Sequence, residues 1–150
     1  MDTQGFLSGL SLLWDGDPQV ADHPRDRRFR AVLDTVRGMA TENKLALLNF
    51  AASNLEPGEI YLEVGAFAGC SIIAAALGND AQFVTIDDYS RPGSSAEECR
   101  RNLARYGLDN VELIDADVWD VLSDPPFSAP VGVYFYDGGR RFVEQYRALE

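Results

Sequence analysis

Leu62-Glu63-Val64-Gly65-Ala66-Phe67-Ala68-Gly69-Cys70-Ser71 sets an apolar run against two glycines four residues apart. The run starts at Ile60, and Ile60–Val64 reads as a buried strand, with a helix predicted over Cys70–Leu77. Glycines at a strand-to-helix turn let the backbone bend tightly and come close to a ligand. The helix N-terminus behind them favours a carboxylate or phosphate. A dinucleotide fingerprint would read G-x-G-x-x-G. Here Ala66 and Phe67 stand where the second glycine would be, which hinders the approach of a pyrophosphate. Glu63, two residues before Gly65, would also repel a pyrophosphate but could attract an ammonium.

Short apolar runs alternate with helical stretches on the C-terminal side of this turn. Gln82–Ile86 is predicted as a second strand, followed by a helix from about Ser95 to Tyr106. Val111–Ile114 is predicted as a third strand, with a helical turn at Val118–Leu122. Val131–Tyr136 is predicted as a fourth strand, and Arg140–Leu149 begins a helix. Strands alternating with helices imply βαβ units: an α/β, Rossmann-like parallel sheet with flanking helices. On the N-terminal side, Thr41 caps a helix running to about Leu55, ended by Pro57-Gly58. Before it, Phe29, Val32, Leu33 and Val36 share one helical face, and Gly38 stops that helix. Arg25, Arg27, Arg28, Arg30 and Arg37 occupy its remaining surface, as a solvated face or as a lid touching an anionic group. Residues 1–22 open apolar and become turn-like at Asp15-Gly16-Asp17-Pro18. The chain thus divides into an N-terminal helical extension, 1–40, and a Rossmann-like domain, 41–150, incomplete at its C-terminus, and the residues before Pro57 are expected to pack beside the sheet rather than form a separate domain.

Ligands of an open parallel sheet bind beyond the carboxyl ends of its strands. The second strand ends in Asp87-Asp88. A carboxylate there can accept hydrogen bonds from both hydroxyls of a ribose, and Asp87 follows Gly65 by 22 residues (87 − 65), near the roughly 20 expected of a ribose acid. Asp88 serves equally as a turn or cap residue. The third strand runs into Asp115-Ala116-Asp117-Val118-Trp119-Asp120, and the fourth into Asp137-Gly138-Gly139-Arg140.

With these strand ends in view, Leu62–Ser71 resembles the first motif of class I S-adenosylmethionine-dependent methyltransferases. It is most similar to the catechol-type and antibiotic-tailoring small-molecule O-methyltransferases. The resemblance implies S-adenosyl-L-methionine as cofactor and a small-molecule oxygen as methyl acceptor. It implies that Gly65 and Gly69 wrap the methionine part, with Glu63 toward the amino group and Ala66, Phe67 and Ser71 toward the carboxylate. It assigns Asp87 to the ribose, Asp117 to the adenine amino group, and Ala116 or Val118 to the adenine ring. Asp137 then faces the transferable methyl as the catalytic residue, holding a divalent metal such as Mg2+ or orienting the acceptor hydroxyl. A metal would lower the hydroxyl pKa, whereas a side-chain base would remove its proton. Related enzymes commonly carry lysine or histidine three residues after this acid. Here that position is Arg140, whose guanidinium stays protonated and cannot be a base. Arg140 could bind a substrate carboxylate or phosphate, or pair with a surface acid.

Composition narrows the alternatives. The 150 residues include 24 acidic and 13 basic side chains, a net charge of −11. Such a balance opposes nucleic acid and anionic membrane surfaces as partners. Residues 1–40 hold six acids and five arginines, so eighteen acids (24 − 6) and eight bases (13 − 5) fall in 41–150. No run approaches the roughly 18 apolar residues of a membrane span. Met1-Asp2-Thr3-Gln4 has no basic region typical of a signal peptide, and two cysteines are too few for a disulfide scaffold. A cytoplasmic setting fits best. The single histidine, His23, excludes multi-histidine zinc sites. Family sheets usually have seven strands, whereas this sequence stops at Arg147-Ala148-Leu149-Glu150 inside a predicted helix. The fourth strand would then be an exposed edge, pointing to a truncated chain or to a partner chain, such as a second copy, covering it. A cofactor-binding fragment or assembly module without independent catalysis is the alternative function. A nicotinamide-dependent oxidoreductase is a third, opposed by Ala66 and Phe67.

Overall fold

A computed structural model describes residues 1–16, 23–139 and 141–149. Its elements run α1 (Thr3–Gly9), a 3-10 turn (Leu10–Leu13), α2 (Arg28–Thr35), α3 (Glu42–Ser53), β1 (Ile60–Val64), α4 (Cys70–Ala76) and β2 (Gln82–Asp87). They continue with α5 (Ala96–Arg105), β3 (Val111–Asp115), α6 (Val118–Ser123), β4 (Val131–Tyr136) and α7 (Phe142–Arg147). The four strands form one parallel sheet in the order β3-β2-β1-β4. The order reverses between β1 and β4, which opens a crevice at their carboxyl ends.

Strand alternation sorts the side chains into two layers. Tyr61 and Phe83 face a core shared with Phe29 and Val32 of α2, Leu45 and Leu48 of α3, Ile72 and Ile73 of α4, and Cys99 and Leu103 of α5. Ile60, Leu62, Val64, Val84 and Ile86 face the opposite layer, which Val121 of α6 closes. Both faces of β1 are buried along its whole length. That is why it reads as a continuous apolar run rather than an alternating one. Helices α2 and α3 contribute to the core of the sheet, and Asn49 fastens α3 to α4. Its buried amide donates to the carbonyls of Ala74, Ala75 and Leu77 at the C-terminal end of α4. Its oxygen accepts from Arg28.

Helix α1 has no counterpart in the sequence reading. It has no buried residue and two glycines, so it lacks the apolar stripe that signals a helix. Asp2 caps it by accepting from Gly5 N, and Phe6 stacks on Phe50 of α3. Asp17 and Pro18 of the expected turn lie outside the described residues. Strand β4 ends the sheet on its side, with Val131 41% exposed. Phe142, Val143, Tyr146 and Leu149 beyond it are also exposed. Among the described residues, no helix is long and apolar enough to cross a membrane.

Candidate functional site

The glycine turn is built on two left-handed positions, Gly65 (φ +101°) and Gly69 (φ +92°). A Cβ on Gly65 would lie 2.6 Å from the Asp137 carbonyl oxygen, so β1 and β4 approach too closely for any side chain. Gly69 is the N-cap of α4. Between them Phe67 also has positive φ (49°), uncommon for a residue with a side chain. Asp87 holds it there: Oδ2 accepts from Phe67 N at 2.8 Å, and Oδ1 accepts from Tyr89 N at 2.8 Å. Tyr89 is the only other non-glycine residue of positive φ among the described residues. One carboxylate therefore ties the first turn to the loop after β2 and offsets the strain in both. The Phe67 ring carries the Arg37 guanidinium at 5.1 Å. Arg37 in turn pairs with Glu98 and donates to the Gly93 carbonyl.

Beneath the turn, Glu63 is fully buried. Ser71 Oγ donates to its Oε1 at 2.7 Å, and the Tyr61 hydroxyl stands 3.5 Å from its Oε2. Burial pushes the Glu63 carboxyl up to about 8, against the donor from Ser71, which lowers it. Cys70 and Cys99 are buried free thiols, each pushed up to about 11 by burial. Both are poor nucleophiles in that state.

A cavity of about 910 Å3 opens above the carboxyl ends of the strands. Its wall takes Gly65 and Phe67 from the turn, Asp87 at the end of β2 and Asp88 after it, Asp117 and Val118 after β3, and Asp137 after β4. These predicted site residues converge. Glu63, Ala66, Gly69, Ser71 and Ala116 do not form part of that wall. Ala66 is buried in the core below, Ala116 packs into the opposite layer, and Glu63 and Ser71 are turned toward each other. Asp117 caps α6 by accepting from Trp119 N, and Asp88 accepts from the backbone and hydroxyl of Ser90. Those bonds hold the Asp88 carboxyl below its usual range. Trp119 is half-buried at the rim, under the Arg147 guanidinium. Arg140 lies outside the described residues.

Lys44 of α3 reaches the same cavity and was not singled out in the sequence. Its Nζ lies 2.8 Å from Asp137 Oδ2 and 4.8 Å from the centre of the Phe135 ring. The available signal was compositional, because Lys44 is the only lysine among the 13 basic residues. The N-terminal arginines, by contrast, are used internally. Arg25 pairs with Asp15, Arg27 with Glu42, Arg28 with Asp26, Arg30 with Asp34, and Arg37 with Glu98. None of the five forms part of the cavity wall, nor does His23, whose exposed ring turns to the Pro24 carbonyl.

No protein-family model matches the sequence, and no curated protein matches it. Solved structures do. TomG, an O-methyltransferase from Streptomyces achromogenes involved in tomaymycin synthesis, in complex with SAM, matches at 24% identity and a TM-score of 0.62, over 99% of this chain and 69% of that one. Cofactor-bound Rv0187 from MTB matches at 26% identity and a TM-score of 0.56, over 91% of this chain and 60% of that one. The SAH-bound methyltransferase PaMTH1 from Podospora anserina matches at 22% identity and a TM-score of 0.55, over 73% of this chain and 47% of that one. This chain therefore spans roughly half to two thirds of these structures. The fold is the Rossmann-like fold of class I methyltransferases.

Proposed function

We propose that the protein is an S-adenosyl-L-methionine-dependent methyltransferase acting on an oxygen of a small molecule. The observation that carries this reading is Asp87. Its carboxylate stands on the cavity wall at the β2 end while fixing the glycine turn and the next loop through two backbone N–H groups. The residues fit the cofactor. Gly65 and Phe67 of the turn stand on the wall, and acids line it where a cation, a diol and an amine would need acceptors. When bound, the cofactor supplies an electrophilic methyl on a cationic sulfonium.

Gly65 and Phe67 then hold the methionine part. Asp87 accepts from the ribose, and Asp117 and Val118 receive the adenine. Glu63 and Ser71 act from below, keeping the turn in shape through their mutual hydrogen bond. Asp137 faces the acceptor and orients or deprotonates its hydroxyl. Among the described residues no group of three or more His, Cys, Asp or Glu side chains could hold a divalent metal by itself, and Asp137 is already paired with Lys44, so a metal at Asp137 would compete with that ammonium. The likeness to TomG supports oxygen as the acceptor atom.

Titration calorimetry with S-adenosylmethionine, S-adenosylhomocysteine and NAD tests the cofactor. Both sulfur compounds should bind and NAD should not. NAD binding with neither sulfur compound bound would overturn the reading.

A further inference from the structure

We propose that Lys44 supplies a cation to the acceptor end of the cavity. Its ammonium holds the position beside Asp137 that a divalent metal would otherwise take, so the acceptor oxygen meets a charge carried by the protein. The inference rests on the methyltransferase reading above and assigns a residue within it.

Three observations converge on Lys44. Its Nζ contacts the Asp137 carboxylate at 2.8 Å across 93 residues of sequence. It also lies 4.8 Å from the Phe135 ring centre, a second anchor through the ring quadrupole. Its backbone is fixed as well. Lys44 N donates to the Thr41 cap, and Leu45, Leu48 and Asn49 bury the following turn of α3. The cation therefore projects from the capped first turn of α3 onto the residue that follows β4.

The other acids of the cavity wall accept from the protein's own N–H and O–H groups: Asp87 from two backbone N–H groups, Asp117 from Trp119 N, Asp88 from Ser90, and Glu144 from Arg141. Asp137, at the β4 end, has an ammonium as its partner. A lysine ammonium is a compact point charge with three donors. Paired with Asp137, it can also donate to an acceptor oxygen that gains negative charge. A metal ion at Asp137 would first have to displace it.

Lys44 being the only lysine makes the test direct. The full chain labelled with 13C-lysine gives a single side-chain Cε–Hε correlation. Asp137→Asn should move that signal in the absence of metal. Mg2+ added to about 10 mM should leave the wild-type signal where a salt-matched control leaves it. Two results would overturn the proposal. One is an unchanged Lys44 signal in Asp137→Asn. The other is a saturable Mg2+ response of the wild type with Kd below about 1 mM that Asp137→Asn abolishes. Calorimetry with S-adenosylhomocysteine on the same samples reports the underlying reading separately. Absent binding there overturns the methyltransferase assignment, whatever the Mg2+ titration gives.

Discussion

Replacing Glu63 by glutamine should change how stability depends on pH. Glu63 is fully buried, and its carboxyl is pushed from the ordinary 4.5 up to about 8 by that burial. Between these values the group is protonated in the folded protein and ionised in the unfolded chain. Unfolding then releases a proton, so stability falls as pH rises through the window and levels off above about 8. Each pH unit inside the window is worth about 1.36 kcal/mol. Integrated from pH 5.5 to pH 9, the loss attributable to Glu63 is roughly 3 kcal/mol. Glu63→Gln keeps the shape and an oxygen that can accept from Ser71, but it cannot ionise. Urea unfolding of both proteins at a series of pH values gives the difference directly. The variant should gain on the wild type by roughly 3 kcal/mol between pH 5.5 and 9, about 1–2 M in urea midpoint for an m-value near 2 kcal/mol/M. A difference that stays flat across this range would refute the reasoning. It would mean that Glu63 is ionised or hydrated in the folded protein.

Asp87→Ala should weaken S-adenosylhomocysteine binding by roughly 10- to 100-fold, the value of hydrogen bonds to a charged group, with far-UV circular dichroism unchanged. Unchanged affinity in calorimetry would remove Asp87 from the ribose. Gly65→Ala places a methyl 2.6 Å from the Asp137 carbonyl oxygen at φ +101°. It should cost roughly 2–4 kcal/mol in urea unfolding, and an unaltered midpoint would contradict the close approach of β1 and β4. Asn49→Ala removes a donor from the carbonyls of Ala74, Ala75 and Leu77, of which Ala75 keeps Asn79 Nδ2, and should cost about 2–4 kcal/mol. A loss below about 0.5 kcal/mol in the same assay would mean that Asn49 is not what fastens α3 to α4.

Much of the architecture is local and therefore legible in the chain. Ile60–Val64 and Val131–Tyr136 fall where their apolar runs predict, and the caps at Thr41 and Ser95 start α3 and α5. Asp87, Asp117 and Asp137 reach the cavity because each ends a strand or follows one within two residues, and parallel strands carry their carboxyl ends to one side. Helix α1 is not legible, because what stabilises it is a cap and one aromatic contact with α3 rather than a periodic face.

What the sequence by itself determined was the order of strands and helices, the glycine turn and the surplus of acids at strand ends. These follow from apolar period and backbone freedom within a few neighbouring residues. Which acids reach the cavity was decided only by the tertiary structure. Glu63 and Asp87 look alike in the chain, each an acid at or next to a strand end. Strand pairing buries the first under the turn with Ser71 and leaves the second on the cavity wall. Lys44 is silent in its helix and acquires a role only because α3 lies against the end of β4. Charge, burial and hydrogen bonding depend on neighbours distant in sequence, and those neighbours exist only once the chain has folded.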